Sequence, residues 1–398
     1  MDHRRRHRVP ESRQLSGLEL KWLAAHRIQP PFAIDFVAVL DGRLTIERTR
    51  HAWESVCRAH PALSLRLQGR LGRRRWVADG RPPPLVQVAH DGWDARRALP
   101  AQDLDVHFDP VRGPVALLAH VPGVGQQTVL MLRVLHAVTD GRGGLFVLRD
   151  LMRALRGESL DTVAFEAHTD AAVSKAAGGK ASRALLPNRA PLARSGPRQI
   201  GATGGAWVRT TMPCPPAHVY GEVVVRLARW SGQERLRMTL PVDLRRHLHA
   251  HAESLGNLTG LVHLDVTAAD SPGSIRQRLR AAVDAGEHHG PVLESATMRR
   301  WPLGLTAAAG GALSRRDQRR GQVPASATVS NLGRLSMADW RAGELGCSAV
   351  FVAPPASPGL PLLAVMTGND DRVEVCGAVP TAWGAADQWC AALDQQAS

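Results

Sequence analysis

From residue 15 onward the chain alternates stretches of helical periodicity with runs of strand-like text. In "LSGLELKWLAAHR" (15–27), Leu18, Trp22 and Ala25 recur at helical spacing, with Ser16 placed to cap the first turn. "FAIDFVAVLDG" (32–42) is a continuous apolar run that ends in an Asp-Gly turn, so it predicts a buried strand. "LTIERTRHAWESVCRAHPALSLRL" (44–67) predicts a helix stopped before Pro61, followed by a strand over "ALSLRL". "GRRRWVADG" and "PLVQVAH" are short strand candidates. "GPVALLAHVPGVGQQTVLMLRVLHAVTDG" (113–141) predicts a hairpin of two apolar strands joined around "VPGVGQQ". Behind it, Leu145, Leu148, Leu151 and Leu155 form one helical stripe in "GLFVLRDLMRALRGE" (144–158).

The pattern fades at about residue 158. From 159 to 215 the chain is Ala, Gly, Arg, Ser and Pro with few large apolar positions, which predicts a flexible crossover between an N-terminal lobe (1–158) and a C-terminal lobe (216–398). "PPAHVYGEVVVRLARWSG" (215–232) reads as a helix, because two prolines suit its start and Val219, Val223, Leu227 and Trp230 share a face. Strands are predicted in "RLRMTLPVDLRR" (235–246), "GNLTGLVHLDVTAAD" (256–270), "ASATVSN", "CSAVFVA", "LPLLAVMTG" and "DRVEVCGAV". A helix is predicted from Pro272, and a last amphipathic helix over "AWGAADQWCAAL". Two αβ halves of similar size imply a pseudo-duplicated α/β architecture.

Composition narrows the picture in three ways. At 398 residues and 44% hydrophobic content the chain can bury two sizeable cores, and no apolar run approaches the length of a membrane span. The N-terminus "MDHRRRHRVPESRQ" has charge without an apolar stretch behind it, so no secretory signal and a cytoplasmic setting are expected. Five scattered cysteines without a CxxC pair give no disulfide or zinc framework. The net charge of +14 raises nucleic-acid binding, but only Lys21, Lys175 and Lys180 among fifty basic residues are lysines. Such an arginine excess, beside abundant Ala and Gly, fits a GC-rich coding bias, and the arginines form no nucleic-acid motif. What remains is a basic surface able to attract an anionic partner.

Candidate chemistry centres on "VLHAVTDGRGG" (134–144). A strand delivers His136 to its end, Asp140 follows four residues later, and Gly141, Gly143 and Gly144 permit a tight turn into a helix. A neutral imidazole there is a general base for a hydroxyl, amine or thiol, since its pKa lies near working pH. Asp140 either orients that imidazole or turns away and braces the loop through an arginine. As a bare pattern His-x-x-x-Asp-Gly is weakly specific; its placement between strand and amphipathic helix gives it weight.

The motif resembles the HHxxxDG signature of the condensation-domain superfamily of acyltransferases, which includes the chloramphenicol acetyltransferase-like, wax-ester and polyketide-associated enzymes. "LDGRLTIERTRHAWESVCRAHPALSLRL" (40–67) and "HFDPVRGPVALLAHV" (107–121) resemble segments that precede the signature in that superfamily. "LPVDLR" (240–245), "GN" (256–257) and "SNLG" (330–333) follow in the expected order, so the likeness spans nearly the whole chain. It implies a two-lobed chloramphenicol-acetyltransferase-like α/β pseudo-dimer, each lobe a mixed sheet flanked by helices. It implies that His136 is the base, that Asp140 is structural and pairs with an arginine, for which Arg245 is the candidate, and that Gly141 is the turn glycine. Ser330, Asn331 and Asn257 are implied to meet substrate in a tunnel between the lobes.

The implied reaction transfers an acyl group from acyl-CoA or a carrier-protein phosphopantetheine thioester to a small hydroxyl or amine acceptor, in lipid or natural-product biosynthesis. No bound cofactor, metal, nucleic acid or membrane span is expected, and a stand-alone monomer is. Leu135 stands where the longer signature has its first histidine. A stand-alone condensation enzyme forming amides on carrier-bound substrates, and a non-catalytic binding or scaffold member, are the alternatives. His107 and His120 flank the predicted hairpin and are assigned to its rim or framework. His247, His249 and His251 alternate without the i, i+4 spacing of a helical metal pair, so a solvated loop is expected there.

Overall fold

The computed structural model describes residues 12–89, 92–99, 104, 106–163, 170–179, 191, 199–213, 219–247, 254–384 and 386–394. The elements run in this order: β1 (Ser12–Gln14), α1 (Gly17–Ile28), β2 (Ala33–Asp41), α2 (Ile46–Ala59), β3 (Arg66–Gln68), β4 (Arg75–Val77), β5 (Leu85–Gln87), β6 (Ala116–Pro122), β7 (Thr128–Leu135) and α3 (Gly141–Leu155). There follow α4 (Asp170–Ala176), β8 (Gly205–Met212), α5 (Val219–Ser231), β9 (Leu236–Asp243), β10 (Thr259–Val266), α6 (Pro272–Asp284), α7 (Gly290–Thr297) and α8 (Leu303–Arg320). The last are β11 (Ala327–Leu335), β12 (Gly346–Ala353), β13 (Leu363–Asn369), β14 (Arg372–Pro380) and α9 (Ala391–Asp394).

Two mixed sheets organise the molecule. The first has the order β12-β2-β7-β6-β5, antiparallel except for the parallel β5–β6 pair. Its central strands are the uninterrupted apolar runs of the sequence and are buried along almost their whole length, as expected of strands covered on both faces. The helices α2 and α3 pack against it. The second sheet has the order β10-β9-β11-β13-β14-β8, with parallel pairing of β11 to both neighbours. Its core holds Val223, Leu227, Met238, Leu240 and Met366, contributed by α5 and the sheet. The fold is therefore α/β, two-lobed, with helices flanking each sheet.

Two strands escape a division by sequence position. β8 lies inside the stretch expected to be a flexible crossover, yet it pairs with β14 over Gly205–Pro380 to Met212–Val373. Small and polar residues at its start hid the strand, since only Trp207, Val208 and Met212 are buried. Much of the remaining crossover lies outside the described residues. β12 comes from the C-terminal half but pairs with β2 in the first sheet. Trp207 fastens the sheets together: its ring meets Phe351 edge-on at 6.0 Å, and its Nε1 donates to Asp35 Oδ2 at 3.3 Å.

Local differences from the sequence reading have local causes. "ALSLRL" opens as a short 3-10 turn, Pro61–Ser64, because Pro61 fixes a helical φ at its first position; the strand starts only at Arg66. The predicted last helix is instead a series of 3-10 turns ending in the four-residue α9, with Gly384 at φ 135° breaking any continuous helix. The segment 215–232 is helical from Val219, and its prolines Pro215 and Pro216 lie outside the described residues. Among the described residues no helix is long and apolar enough to cross a membrane.

Candidate active site

β7 carries the chain to Leu135, and the next residue leaves the sheet. The His136 backbone N–H still donates to Phe32 O, just ahead of β2, at 3.0 Å, which fixes the exit point of the loop. Leu135 is fully buried in the core of the first lobe, paired opposite Ala33, and the cavity is not lined by it. Where relatives of the long signature carry a histidine, this chain fills apolar space.

The imidazole of His136 is held on three sides. Nδ1 lies 3.0 Å from the carbonyl oxygen of Thr139. A carbonyl only accepts, so Nδ1 carries the proton and Nε2 keeps its lone pair. The ring stacks on Trp22 at 4.4 Å and lies near-parallel to Phe32 at 5.7 Å. Asn257 donates from Nδ2 to the His136 carbonyl at 2.9 Å, pinning the same loop from the second lobe. Burial lowers the His136 pKa; the Thr139 hydrogen bond and the Asp140 charge oppose that effect without cancelling it. The ring is therefore neutral at pH 7 and able to accept a proton.

Asp140 faces away from this ring. It caps α3, accepting from Gly143 N at 2.9 Å and Arg142 N at 3.1 Å. Its two oxygens meet the fork of Arg245 at 2.9 and 3.0 Å, and Leu258 N and Thr259 Oγ1 also donate to it. Burial would raise the Asp140 pKa, but Arg245 and the amide donors more than offset it and hold the carboxyl below the usual range. Arg245 is 3% exposed and gives its remaining donors to the carbonyls of Ser254 and Gly256 and to Asp243. The brace thus ties the start of α3 in the first lobe to the end of β9 and the start of β10 in the second. Gly141, the first residue of α3, sits where a Cβ would press on Leu332 at 2.7 Å.

A cavity of about 330 Å³ opens between the two sheets, with His136 in its wall. Asp140, Gly141, Arg245, Asn257, Ser330 and Asn331 all reach it, so the residues singled out in the sequence converge on one place. Ser330 is half-buried; Asn331 is exposed and its Oδ1 accepts from Gly333 N at 2.9 Å. The lining also includes residues that sequence reading missed as site residues: Trp22, Phe32, Lys21, Thr239 and His263. Trp22 registered only as one apolar position of α1, Lys21 lies beside it on the same helix, Phe32 just precedes β2, and Thr239 and His263 come from strands whose facing direction periodicity does not supply. His263 accepts or donates at 3.0 Å with Thr239 Oγ1, and burial, aided by Arg237, lowers its pKa to about 4. Two buried polar atoms at the cavity have no partner: Trp22 Nε1 and Asn257 Oδ1.

His120 belongs to the framework, buried with Nδ1 3.0 Å from Thr49 Oγ1, while His107 is exposed. His247 differs from the expected solvated loop. It is half-buried against His288 and His289, which the second sheet brings to it from 41 residues away or more. His249 and His251 lie outside the described residues.

No protein-family model matches the chain. Among curated proteins, a nonribosomal peptide synthetase, lenA of Aspergillus lentulus, is 27% identical over 125 residues, which is 31% of this chain and 3% of that protein. Solved structures align over nearly the full length. The starter condensation domain of rhizomide synthetase RzmA, in complex with C8-CoA, aligns at TM-score 0.63 and 15% identity over 96% of this chain and 92% of that one. The condensation domain of the Monacolin K polyketide synthase MokA aligns at TM-score 0.56 and 13% identity, over 96% and 95%. The epimerization domain of tyrocidine synthetase B, TycB3(E), aligns at TM-score 0.59 and 12% identity, over 97% and 94%.

Proposed function

With the condensation-domain fold as the premise, we propose that this protein is an acyltransferase that moves an acyl group from a thioester to a hydroxyl or amine acceptor, with His136 as general base. The observation that carries this reading is the state of the His136 ring: Nδ1 is committed to Thr139 O, and burial keeps Nε2 unprotonated at the wall of an apolar cavity. Nε2 removes the proton of the acceptor as its oxygen or nitrogen attacks the thioester carbonyl. The tetrahedral intermediate collapses to ester or amide, the carbon–sulfur bond breaks, and the proton on Nε2 passes to the leaving thiolate. Trp22 packs on the His136 ring and Asn257 holds the His136 carbonyl, so both fix the base in the cavity wall. Asp140 and Arg245 hold the turn and take no part in the proton transfer. The donor is acyl-CoA or a carrier-bound phosphopantetheine thioester; a basic surface, with Lys+Arg exceeding Asp+Glu by 14, favours both anionic donors. The two lobes would then frame a tunnel with opposite mouths for donor and acceptor.

An amine acceptor has specific support. A RzmA variant aligned here at TM-score 0.62 and 15% identity is described in complex with both C8-CoA and Leu-SNAC, an acyl donor beside an aminoacyl thioester. Amide formation is accordingly the second reading of the same site. Incubation of the protein with acyl-CoA donors, octanoyl-CoA first, and with acyl-phosphopantetheine carrier proteins, against hydroxyl and aminoacyl thioester acceptors, tests both. Mass spectrometry identifies the product and thiol release gives the rate. An ester or amide product supports transfer and names the acceptor class. No product and no thiol release across both donor types would leave a binding or scaffold role.

A further inference from the structure

Three imidazoles with no part in this transfer meet behind the Arg245 brace. His247 ends the 3-10 turn Arg245–His247, and His288 and His289 lie in the turn Glu287–His289 just ahead of α7. One ring nitrogen from each lies within 4.8 Å of the other two. Ring centroids are 3.9 Å apart for His288 and His289, and 5.2 Å for His247 and His289. His288 is 1% exposed and His289 3%, and the Nδ1 of each is buried with no hydrogen-bond partner among the described residues. Two glycines make room for them: a Cβ on Gly260 would strike the His288 carbonyl, and one on Gly179 would strike the His289 side chain.

Arg246 shows which way the lone pairs point. Its guanidinium donates to Nε2 of His247 at 3.3 Å and lies 3.1 Å from Nε2 of His288. A guanidinium cannot accept, so both nitrogens present lone pairs to the same positive charge. Burial and the surrounding positive groups lower the pKa of all three histidines, that of His288 to about 4, so they are neutral at pH 7. Arg246 is exposed.

We propose that His247, His288 and His289 form a binding site for a divalent transition-metal cation of the zinc type, over which Arg246 lies when the metal is absent. Imidazole ligands without a carboxylate among them suit zinc, cobalt, nickel or copper and not calcium or magnesium. Tetrahedral bonds of about 2.0 Å place donor nitrogens roughly 3.3 Å apart, so nitrogens that lie within 4.8 Å of one another close by up to about 1.5 Å on binding. Three histidines leave a fourth position for water. The metal joins the turn that carries Arg245 to the turn that leads into α7, where Pro291 and Val292 line the cavity. It therefore stiffens a wall of the candidate active site from outside.

Untagged protein, stripped with a chelator and dialysed, is titrated with Zn2+ by calorimetry and with Co2+ by visible absorption. One zinc per chain is expected, with a tetrahedral cobalt band. His247→Ala should weaken binding by about 100-fold or more, at least the effect of losing an outer-sphere partner. Arg246→Ala, which removes the competing cation, should tighten binding several-fold, a change of opposite sign that scattered surface histidines would not produce. Zinc should raise the melting temperature of the wild type and of Arg246→Ala but not of His247→Ala. Circular dichroism checks that each variant folds; should His247→Ala fail to fold, the Arg246→Ala titration decides. Absence of saturable one-to-one binding in the wild type overturns the site, as does affinity unmoved by His247→Ala or unimproved by Arg246→Ala.

Discussion

Replacing Asp140 with asparagine removes one charge and keeps the shape of the side chain. Asn caps a helix about as well as Asp, so the bonds from Gly143 N and Arg142 N survive. What is lost is the counter-charge of Arg245, a guanidinium 3% exposed, and the acceptor Oδ2, where an amide NH2 would face the donors of Arg245, Leu258 N and Thr259 Oγ1. Removing one partner of a buried ion pair costs about 3–5 kcal/mol, because the other is left desolvated. Arg245 retains Asp243 Oδ1 at 3.1 Å and the carbonyls of Ser254 and Gly256. These contacts offset part of the loss, and the donors left facing the amide nitrogen add to it, so Asp140→Asn costs about 3 kcal/mol or more. Asp140→Ala also loses the cap, adding about 1 kcal/mol. Urea unfolding followed by circular dichroism reads this directly: with a slope of about 3 kcal/mol per molar, the midpoint of Asp140→Asn falls by about 1 M. Arg245→Met in the same background should recover part of the loss, since no uncompensated charge then remains buried. An Asp140→Asn midpoint within about 0.3 M of wild type, a third or less of the expected fall, would refute the brace as the structural tie between the lobes, and so would a double variant less stable than both singles.

Four further outcomes follow from the same geometry. The acid limb of kcat/KM should lie below pH 6.5, because burial depresses His136, and the rate should be flat through pH 7; a limb at or above 6.5 in a pH–rate profile contradicts the buried base. Trp22→Ala opens the ring of His136 to solvent, so that limb should move upward toward 6.5, and an unmoved limb would show that Trp22 does not shield the base. Asp140 has a depressed folded-state pKa, so its stabilisation is present above the unfolded value of about 3.9 and is lost as pH falls through the folded one; acid unfolding of the wild type, but not of Asp140→Asn, should show that loss. Gly144→Ala drives a methyl into the ring of Phe36 where α3 crosses β2, and should cost about 1–3 kcal/mol in the same urea assay.

The parts of the molecule written in local pattern were readable in advance. β2, β6 and β7 are unbroken apolar runs, and α3 carries a leucine stripe, so the elements that aim His136 could be placed from spacing alone. β8 could not, because its pairing is set by β14 more than 150 residues away and its own side chains are half-exposed. β12 reads as a strand, but nothing local says that it leaves its own half of the chain to pair with β2. The candidate site divides along the same line. His136 and Asp140 share one motif, and Arg245 was reachable through the resemblance. Trp22, Thr239 and His263 were invisible as lining residues, because the direction a side chain faces across a cavity is fixed by packing of the two sheets. His247 was misjudged for a related reason: its partners His288 and His289 are distant in sequence, and one-dimensional spacing tests only ligands on the same element.

The central claim is that Nε2 of His136 takes the acceptor proton. Thiol release from an acyl-CoA, followed with wild type and His136→Ala at pH 7 on folded, equally stable samples, tests it most directly. A loss of about 10²- to 10⁴-fold in acceptor-dependent turnover, with the acid limb abolished, is the predicted result. Equal turnover by the two proteins, with the same pH profile, would contradict it.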